Sequence, residues 1–154
     1  MQGATEDSNE SFGHLMRDLH RCFSRKLQHL IEKHDVTSAQ WFFLRILWDE
    51  DGLTQATLST RVGLTTATTV VALNTLQSKG LILRRPHPTD GRKLTIWLTT
   101  KGRQLEKTLR PCGKLVNETA SAGLPENALQ QTRRVLQQMR ANLLADLHDY
   151  GADD

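Results

Sequence analysis

The stretch Asp90-Gly-Arg-Lys-Leu-Thr-Ile-Trp-Leu-Thr99 decides the fold of this chain. It joins a turn pair, an arginine at the turn and an apolar strand. Asp-Gly is a strong hairpin signal because both residues tolerate positive φ. The run Leu81-Ile-Leu-Arg-Arg85 upstream supplies the matching strand, and Pro86 and Pro88 in the connection cannot donate to a ladder. Two strands with a basic tip cannot bury themselves, so helices must stand behind them. Helical patterns joined by a short turn lie directly upstream, and the combination predicts a winged helix-turn-helix.

Upstream, Phe12, Leu15, Met16, Leu19, Phe23, Leu27, Leu30 and Ile31 recur at three- and four-residue steps and predict a first amphipathic helix. Thr37-Ser-Ala-Gln40 has capping-box spacing and opens a second helix through about Trp48. Trp41-Phe-Phe-Leu-Arg-Ile-Leu-Trp48 is apolar on nearly every side, so that helix must be enclosed. Thr54 caps a short third helix ended by Gly63, and a fourth runs from about Thr65 to Lys79, closed by Gly80. On the fourth, Val70, Leu73 and Leu76 are expected to point inward.

Downstream of the strand, Thr99 or Thr100 starts a long fifth helix carrying Leu105, Leu109, Cys112 and Val116 on one face. Pro125 stands at the start of a sixth, with Leu129, Leu136, Met139, Leu143 and Leu147 aligned. The fold class is therefore mainly α with a small β-hairpin wing. Residues 1–154 form a single domain, with a DNA-binding lobe over 37–99 and a helical dimerisation region over 11–34 and 100–148. Apolar faces on the first, fifth and sixth helices have little to cover them in one copy, which predicts a homodimer.

The 154 residues carry a formal charge of only +3, but that balance is uneven. From Arg61 to Lys114 there are eleven Lys and Arg against Asp90 and Glu106, a local +9. The ends are acidic, with Glu6, Asp7 and Glu10 at one and Asp146, Asp149, Asp153 and Asp154 at the other. A basic middle suits a polyanion. Two cysteines, Cys22 and Cys112, make no disulfide scaffold and have no zinc spacing. There is no membrane-length apolar run and no leader pattern, so a cytoplasmic protein with frayed ends is expected. No Gly-rich phosphate loop, nucleophile elbow or His-x-x-x-His pair is present, which argues against an enzyme and against a cofactor or metal.

The chain resembles the MarR family of winged-helix transcription regulators. The resemblance rests on Thr37-x-x-Gln40-Trp41, Leu53-Thr54-Gln55 with Leu58, Thr69-Val-Val-Ala-Leu73, Leu76-Gln-Ser-Lys-Gly-Leu81, Asp90-x-Arg92 and Leu98-Thr99-x-x-Gly102, in family order and at family spacing. It implies a homodimer that binds double-stranded operator DNA, usually as a repressor, and is released by a small ligand. The residue pattern supplies candidates for each part. Thr66, Ala67, Thr68, Val71, Asn74 and Thr75 form the outward face of the fourth helix, which fits a major groove. Many relatives carry an arginine where this chain has Val71, and no charge lies between Arg61 and Lys79. Phosphate anchoring then falls to Arg61, Lys79, Arg84 and Arg85. Arg92 at the hairpin tip is the candidate for a narrow minor groove, held by Asp90 through a bidentate guanidinium geometry.

Arg45 is the lone charge within the apolar second helix. It either pairs with an acid such as Asp49, lies on a wet edge, or meets the carboxylate of an amphipathic effector between Trp41 and Trp48. Arg17 and His20 on the first helix are further effector candidates, with surface residues of a dimer as the alternative. The expected ligand is an aromatic acid or its thioester, bound among the first, second and fifth helices. A thiol-redox regulator of the same fold, using Cys22 or Cys112, is the alternative. Both thiols fall on or near apolar faces, where Cys behaves as a small hydrophobe.

Overall fold

The computed structural model describes residues 10–150; Glu6, Asp7, Asp153 and Asp154, read above as part of the acidic ends, lie outside the described residues. The elements are α1 (Phe12–Ile31), a 3-10 turn (Glu32–His34), α2 (Ser38–Asp49), β1 (Leu53–Thr54), α3 (Gln55–Val62), α4 (Thr66–Ser78), β2 (Ile82–Pro86), β3 (Leu94–Leu98), α5 (Thr100–Gln104), α6 (Glu106–Ser121) and α7 (Glu126–Tyr150). They divide into two compact units, one up to Val116 and one from Asn117 onward. The division falls inside the region expected to serve dimerisation.

In the first unit the capping residues sit where their chemistry requires. Thr37 and Gln40 form a reciprocal capping box, and Thr54 and Thr65 accept from the third backbone N–H of α3 and α4. Gly63 ends α3 in the left-handed region at φ 76°, where a side chain would be strained. α2 runs through the core, with Phe43, Leu44 and Leu47 essentially without solvent contact. Ile31 of α1, Leu58 of α3, Leu73 and Leu76 of α4, Ile82 and Ile96 of the sheet and Leu109 of α6 belong to the same cluster.

Two tryptophans fix the register of this core. The indole N–H of Trp41 donates to the Leu109 carbonyl at 3.1 Å, and that of Trp48 to the Gly102 carbonyl at 3.0 Å. Their spacing on α2 is two turns, and so is the spacing of the carbonyls they reach. The second contact coincides with a difference from the sequence expectation. The anticipated single fifth helix is interrupted at Leu105 into α5 and α6. A helix carbonyl ordinarily accepts from the N–H four residues on; here the Gly102 carbonyl accepts an indole, and a side chain entering the ladder is a recognised cause of a break.

Three further points correct the sequence reading. The sheet has three strands in the order β1-β3-β2, with Leu53 opposite Ile96 and Thr54 opposite Thr95. A two-residue strand has no room for alternation, so β1 carried no legible period. On α4 the fully buried positions are Thr69, Leu73 and Leu76, while Val70 is half-buried. Thr69 goes inside because its hydroxyl donates to Ser59 Oγ at 3.0 Å, which donates in turn to the Leu64 carbonyl at 2.8 Å. That chain of hydroxyls ties α4 to the turn before it. Finally, Asp90 and Gly91 are not among the positive-φ residues. Primed turns match strand twist only when the loop has two residues. Here β2 and β3 are joined through 87–93, closed by His87 N–H to the Lys93 carbonyl and Lys93 N–H to the Asp90 carbonyl, both at 2.9 Å.

Thr99 rather than Thr100 caps α5, and its hydroxyl works twice. It accepts from Gly102 N–H at 3.0 Å and donates to the Gly80 carbonyl at 2.7 Å. The second unit contains the end of α6, Gly123 at φ 76°, and α7, whose first turn begins with Ala128 N–H on the Pro125 carbonyl. Along α7, Leu136, Leu143, Leu144 and Leu147 are exposed. No helix among the described residues is long and apolar enough to cross a membrane.

Gly102 lies where α5 crosses the base of the wing, and a Cβ there would fall 2.2 Å from the Leu81 carbonyl oxygen. Backbone cannot yield cheaply, so Gly102→Ala should destabilise by about 1–3 kcal/mol, the usual cost of overpacking. Urea unfolding checks this: a midpoint equal to that of the parent protein would contradict it.

Candidate nucleic-acid interface

α3, the Gly63-Leu64 turn and α4 make the helix-turn-helix. The outward face of α4 presents Thr66, Ala67, Thr68, Val71 and Asn74, all exposed, with Thr75 half-buried beside them. Val71 is 67% exposed, an unusual state for a valine at the middle of a helix. Several of the threonine hydroxyls are engaged internally: Thr75 donates to the Val71 carbonyl at 3.1 Å, and Thr65 and Thr68 share a bond of 3.0 Å. Arg84 reaches back from β2 to Gln77 of α4, its guanidinium donating at 2.6 Å.

The wing is built from the base outward. Asp51, unnoticed in the sequence, accepts from the backbone N–H of Gly52 and of Leu98 at 3.0 and 2.9 Å and pairs with Arg103. It closes the end of β3 against β1. Trp97 on β3 donates to Thr95 Oγ1 at 2.9 Å and carries the Arg85 guanidinium over its ring at 5.5 Å. Cross-strand diagonals bring such residues together, but only once the register of β2 on β3 is set. At the tip, Asp90 Oδ1 accepts the Arg92 backbone N–H at 3.2 Å and its Nε at 3.4 Å. The expected two-point clamp is thus replaced by one oxygen that holds the turn and only loosely holds the guanidinium. The Arg92 side chain is 95% exposed. The backbone N–H of Arg92, above all, holds the Asp90 carboxyl below the ordinary aspartate range. A depressed folded-state pKa means that this contribution to the turn is present at neutral pH and is lost only on acidification through that lowered value.

Of the other basic candidates, Arg61 pairs with Glu50 at 2.6 Å on the surface, a contact of small energetic weight. Lys79 is turned inward. Its ammonium donates to the Asp35 carbonyl at 2.6 Å, to Asp35 Oδ1 at 3.1 Å and to Gln40 Oε1 at 3.3 Å, joining the end of α4 to the start of α2.

The five effector candidates are not brought together. Trp41 is buried, its N–H taken by Leu109, and a Cβ on Gly113 would come within 2.5 Å of its ring. α2 and α6 are therefore in close contact where a ligand had been expected. Trp48 donates to Gly102 and lies under the Arg110 guanidinium at 5.8 Å. Arg45 is exposed on the wet edge of α2 and forms no ion pair among the described residues; Asp49 pairs with Arg110 instead. Arg17 is exposed near His14 on α1. His20 alone of the five lines a cleft of about 420 Å³, with Ser24 of α1, Ser38, Ala39 and Phe42 of α2, and Val62, Gly63 and Leu64 at the helix-turn-helix turn. His20 and Phe42 are stacked there at 6.3 Å. Nothing in the sequence spacing could reveal this cleft, since its walls come from three separate segments.

Cys22 is exposed and Cys112 half-buried, with its thiol on the Thr108 carbonyl at 3.4 Å. Glu10, His14 and Asp18 converge along α1, where His14 lies 3.6 and 3.3 Å from the two carboxylates, a surface pairing of small energetic weight.

Comparison with known proteins agrees with this architecture. The MarR family model matches residues 36–94. The transcriptional regulator HosA of Escherichia coli is 31% identical, over 71% of this chain and 79% of its own length. The regulator TtmR of Methylorubrum extorquens is 29% identical over 82% of this chain, which spans 62% of TtmR. The Staphylococcus aureus MepR–DNA complex superposes with a TM-score of 0.80 at 27% identity, covering 86% of this chain and 98% of that one. The chain belongs to the MarR family of DNA-binding transcriptional regulators, which are not enzymes.

Arg92 is exposed at the tip and makes no contact with the core, so its replacement should leave the fold intact. Arg92→Ala should weaken specific duplex binding by about 1–3 kcal/mol while leaving the unfolding midpoint unchanged. Fluorescence anisotropy with a footprinted upstream fragment measures the first and thermal denaturation the second; full affinity in the variant would remove the wing tip from the interface.

Proposed function

We propose that this regulator is a homodimeric, cytoplasmic repressor of a pseudo-palindromic operator, released by a small amphipathic ligand. One observation carries the reading: an outward α4 face that nothing among the described residues covers stands on the same lobe as the 95% exposed Arg92 tip. In the proposed complex α4 enters a major groove and Arg92 the neighbouring minor groove, where a narrow A/T-rich stretch concentrates negative potential. Asp90 holds the turn, Arg84 and Arg85 reach phosphates from positions pre-ordered by Gln77 and Trp97, and Arg61 does so after exchanging Glu50. Two copies would contact successive major grooves about one turn, ~10 bp, apart. A dimer seated on a promoter blocks it by occupancy.

Dimerisation is supported by apolar surface left open in each unit. Phe12, Leu15 and Leu19 of α1 are 67%, 50% and 49% exposed, and Leu143 and Leu147 of α7 are 66% and 64% exposed. A second copy of the chain would remove these side chains from water.

The cleft beside His20 is the proposed effector site, and of the five residues first considered it retains only His20. Its volume suits a small ligand. Phe42 offers an apolar wall, and His20 with the first turn of α2 favours an anionic group such as an aromatic carboxylate. Leu64 belongs both to this cleft and, through its carbonyl, to the hydroxyl chain that anchors α4. A ligand preferring a displaced turn would therefore shift α4 and weaken DNA binding, and it can act only through that difference in affinity.

Two measurements test the proposal. Sedimentation should give a dimer whose affinity for its upstream duplex falls steeply with salt, as counterion release demands; a monomer, or flat salt dependence, contradicts the model. Titration with benzoates, hydroxycinnamates and their thioesters should weaken operator binding roughly 5- to 150-fold, the range of ordinary coupling, and His20→Ala should blunt that response. Release that is unaffected by His20→Ala would move the effector elsewhere.

A further inference from the structure

We infer that the α4 face selects A·T base pairs, reading thymine methyl groups through Val71 and its neighbours and an adenine through Asn74. This rests on the proposed entry of α4 into the major groove. No charged residue lies between Arg61 and Lys79, so α4 has no guanidinium or ammonium for the bidentate contact to guanine O6 and N7, and no carboxylate to accept from cytosine N4. Thr69 is buried on Ser59, Thr75 donates to the Val71 carbonyl, and Thr65 and Thr68 bond one another. With its hydrogen engaged, Thr75 offers a base edge its methyl and an acceptor oxygen, and neither is a charge that could single out guanine.

Ala67, Val71 and Thr75 follow at four-residue steps and so lie along one line of the helix, with the 67% exposed Val71 at its centre. The thymine 5-methyl is the apolar group that the major groove presents, and burying Val71 against it removes both from water. Asn74 lies one turn beyond Val71 on the exposed face, and its carboxamide matches the N6 donor and N7 acceptor of adenine. Arg92 in a narrow A/T minor groove would reinforce the same composition at the flank. Specificity here comes from shape and methyl contacts where a charge would otherwise do the reading.

The test uses the full-length protein and selection from a randomised duplex library, followed by atom-level changes in the selected site. The expected half-site has A·T pairs across the positions that α4 protects. Replacing one thymine by deoxyuridine, which deletes only the methyl, should lower affinity about fourfold at the Val71 contact, in line with the transfer free energy of one such group. Val71→Ala should lose sensitivity to that replacement while still binding DNA. Substituting 7-deazaadenine should weaken binding by the parent protein and leave Asn74→Ala indifferent. A G·C core in the selected half-sites, or deoxyuridine tolerated at every thymine, overturns this inference. If a G·C core is selected and Arg92→Ala still loses affinity, the DNA-binding reading stands and only the A·T inference falls. If no sequence is enriched over random duplex, both fall.

Discussion

The structure depends on enclosing one helix. α2 is apolar around most of its circumference, so a single face of contacts cannot satisfy it, and α1, α3, α4, α6 and the small sheet all contribute to its surroundings. Burying two indoles there also buries two N–H donors, each of which would be costly if left unmet. Both find helix carbonyls, at Leu109 and Gly102, and the shared two-turn spacing fixes how α2 lies along α5 and α6. Gly113 and Gly102 are the complementary part of the same constraint. Each lies where a Cβ would strike a neighbour, Trp41 in one case and the Leu81 carbonyl in the other.

From that pillar the binding lobe is held by polar links at its edges. Lys79 joins the end of α4 to the α1–α2 connection and the capping box, Thr69 and Ser59 secure the turn before α4, and Asp51 and Thr99 fasten the base of the wing. None of these groups is free for DNA, yet they determine where the free ones stand. A recognition surface as poor in charge as the one proposed for α4 would gain from such rigidity, because shape and methyl contacts fall off over short distances in a way that a charge–phosphate attraction does not.

The same packing explains why the cleft lies beside His20 and not beside Trp41. An aromatic residue next to an arginine on an apolar helix is an attractive pattern for binding an aromatic acid. In this fold the indole edge is already bonded and the space beyond it is filled by α6. A cleft of about 420 Å³ opens instead where α1, the start of α2 and the helix-turn-helix turn meet, and Leu64 in its wall is tied to α4 through Ser59 and Thr69.

Much was legible from residue order alone, because it rests on local chemistry. Thr37, Thr54 and Thr65 cap helices through their own side chains, Gly63 and Gly80 end them by tolerating positive φ, and helical periodicity marks the long elements; these need only near neighbours in the chain. The hairpin followed from two apolar runs around a polar loop. The chain could not by itself declare β1, whose two residues have meaning only beside Ile96 and Thr95, nor the break at Leu105, where the Gly102 carbonyl accepts an indole from 54 positions away. The inward turn of Lys79 and Thr69, the roles of Asp51 and Trp97, and the cleft at His20 likewise arise from partners distant in sequence. Local propensities and caps determined which segments form; long-range packing decided which polar groups were left over to bind anything else, because a side chain already paired in the core has nothing further to offer.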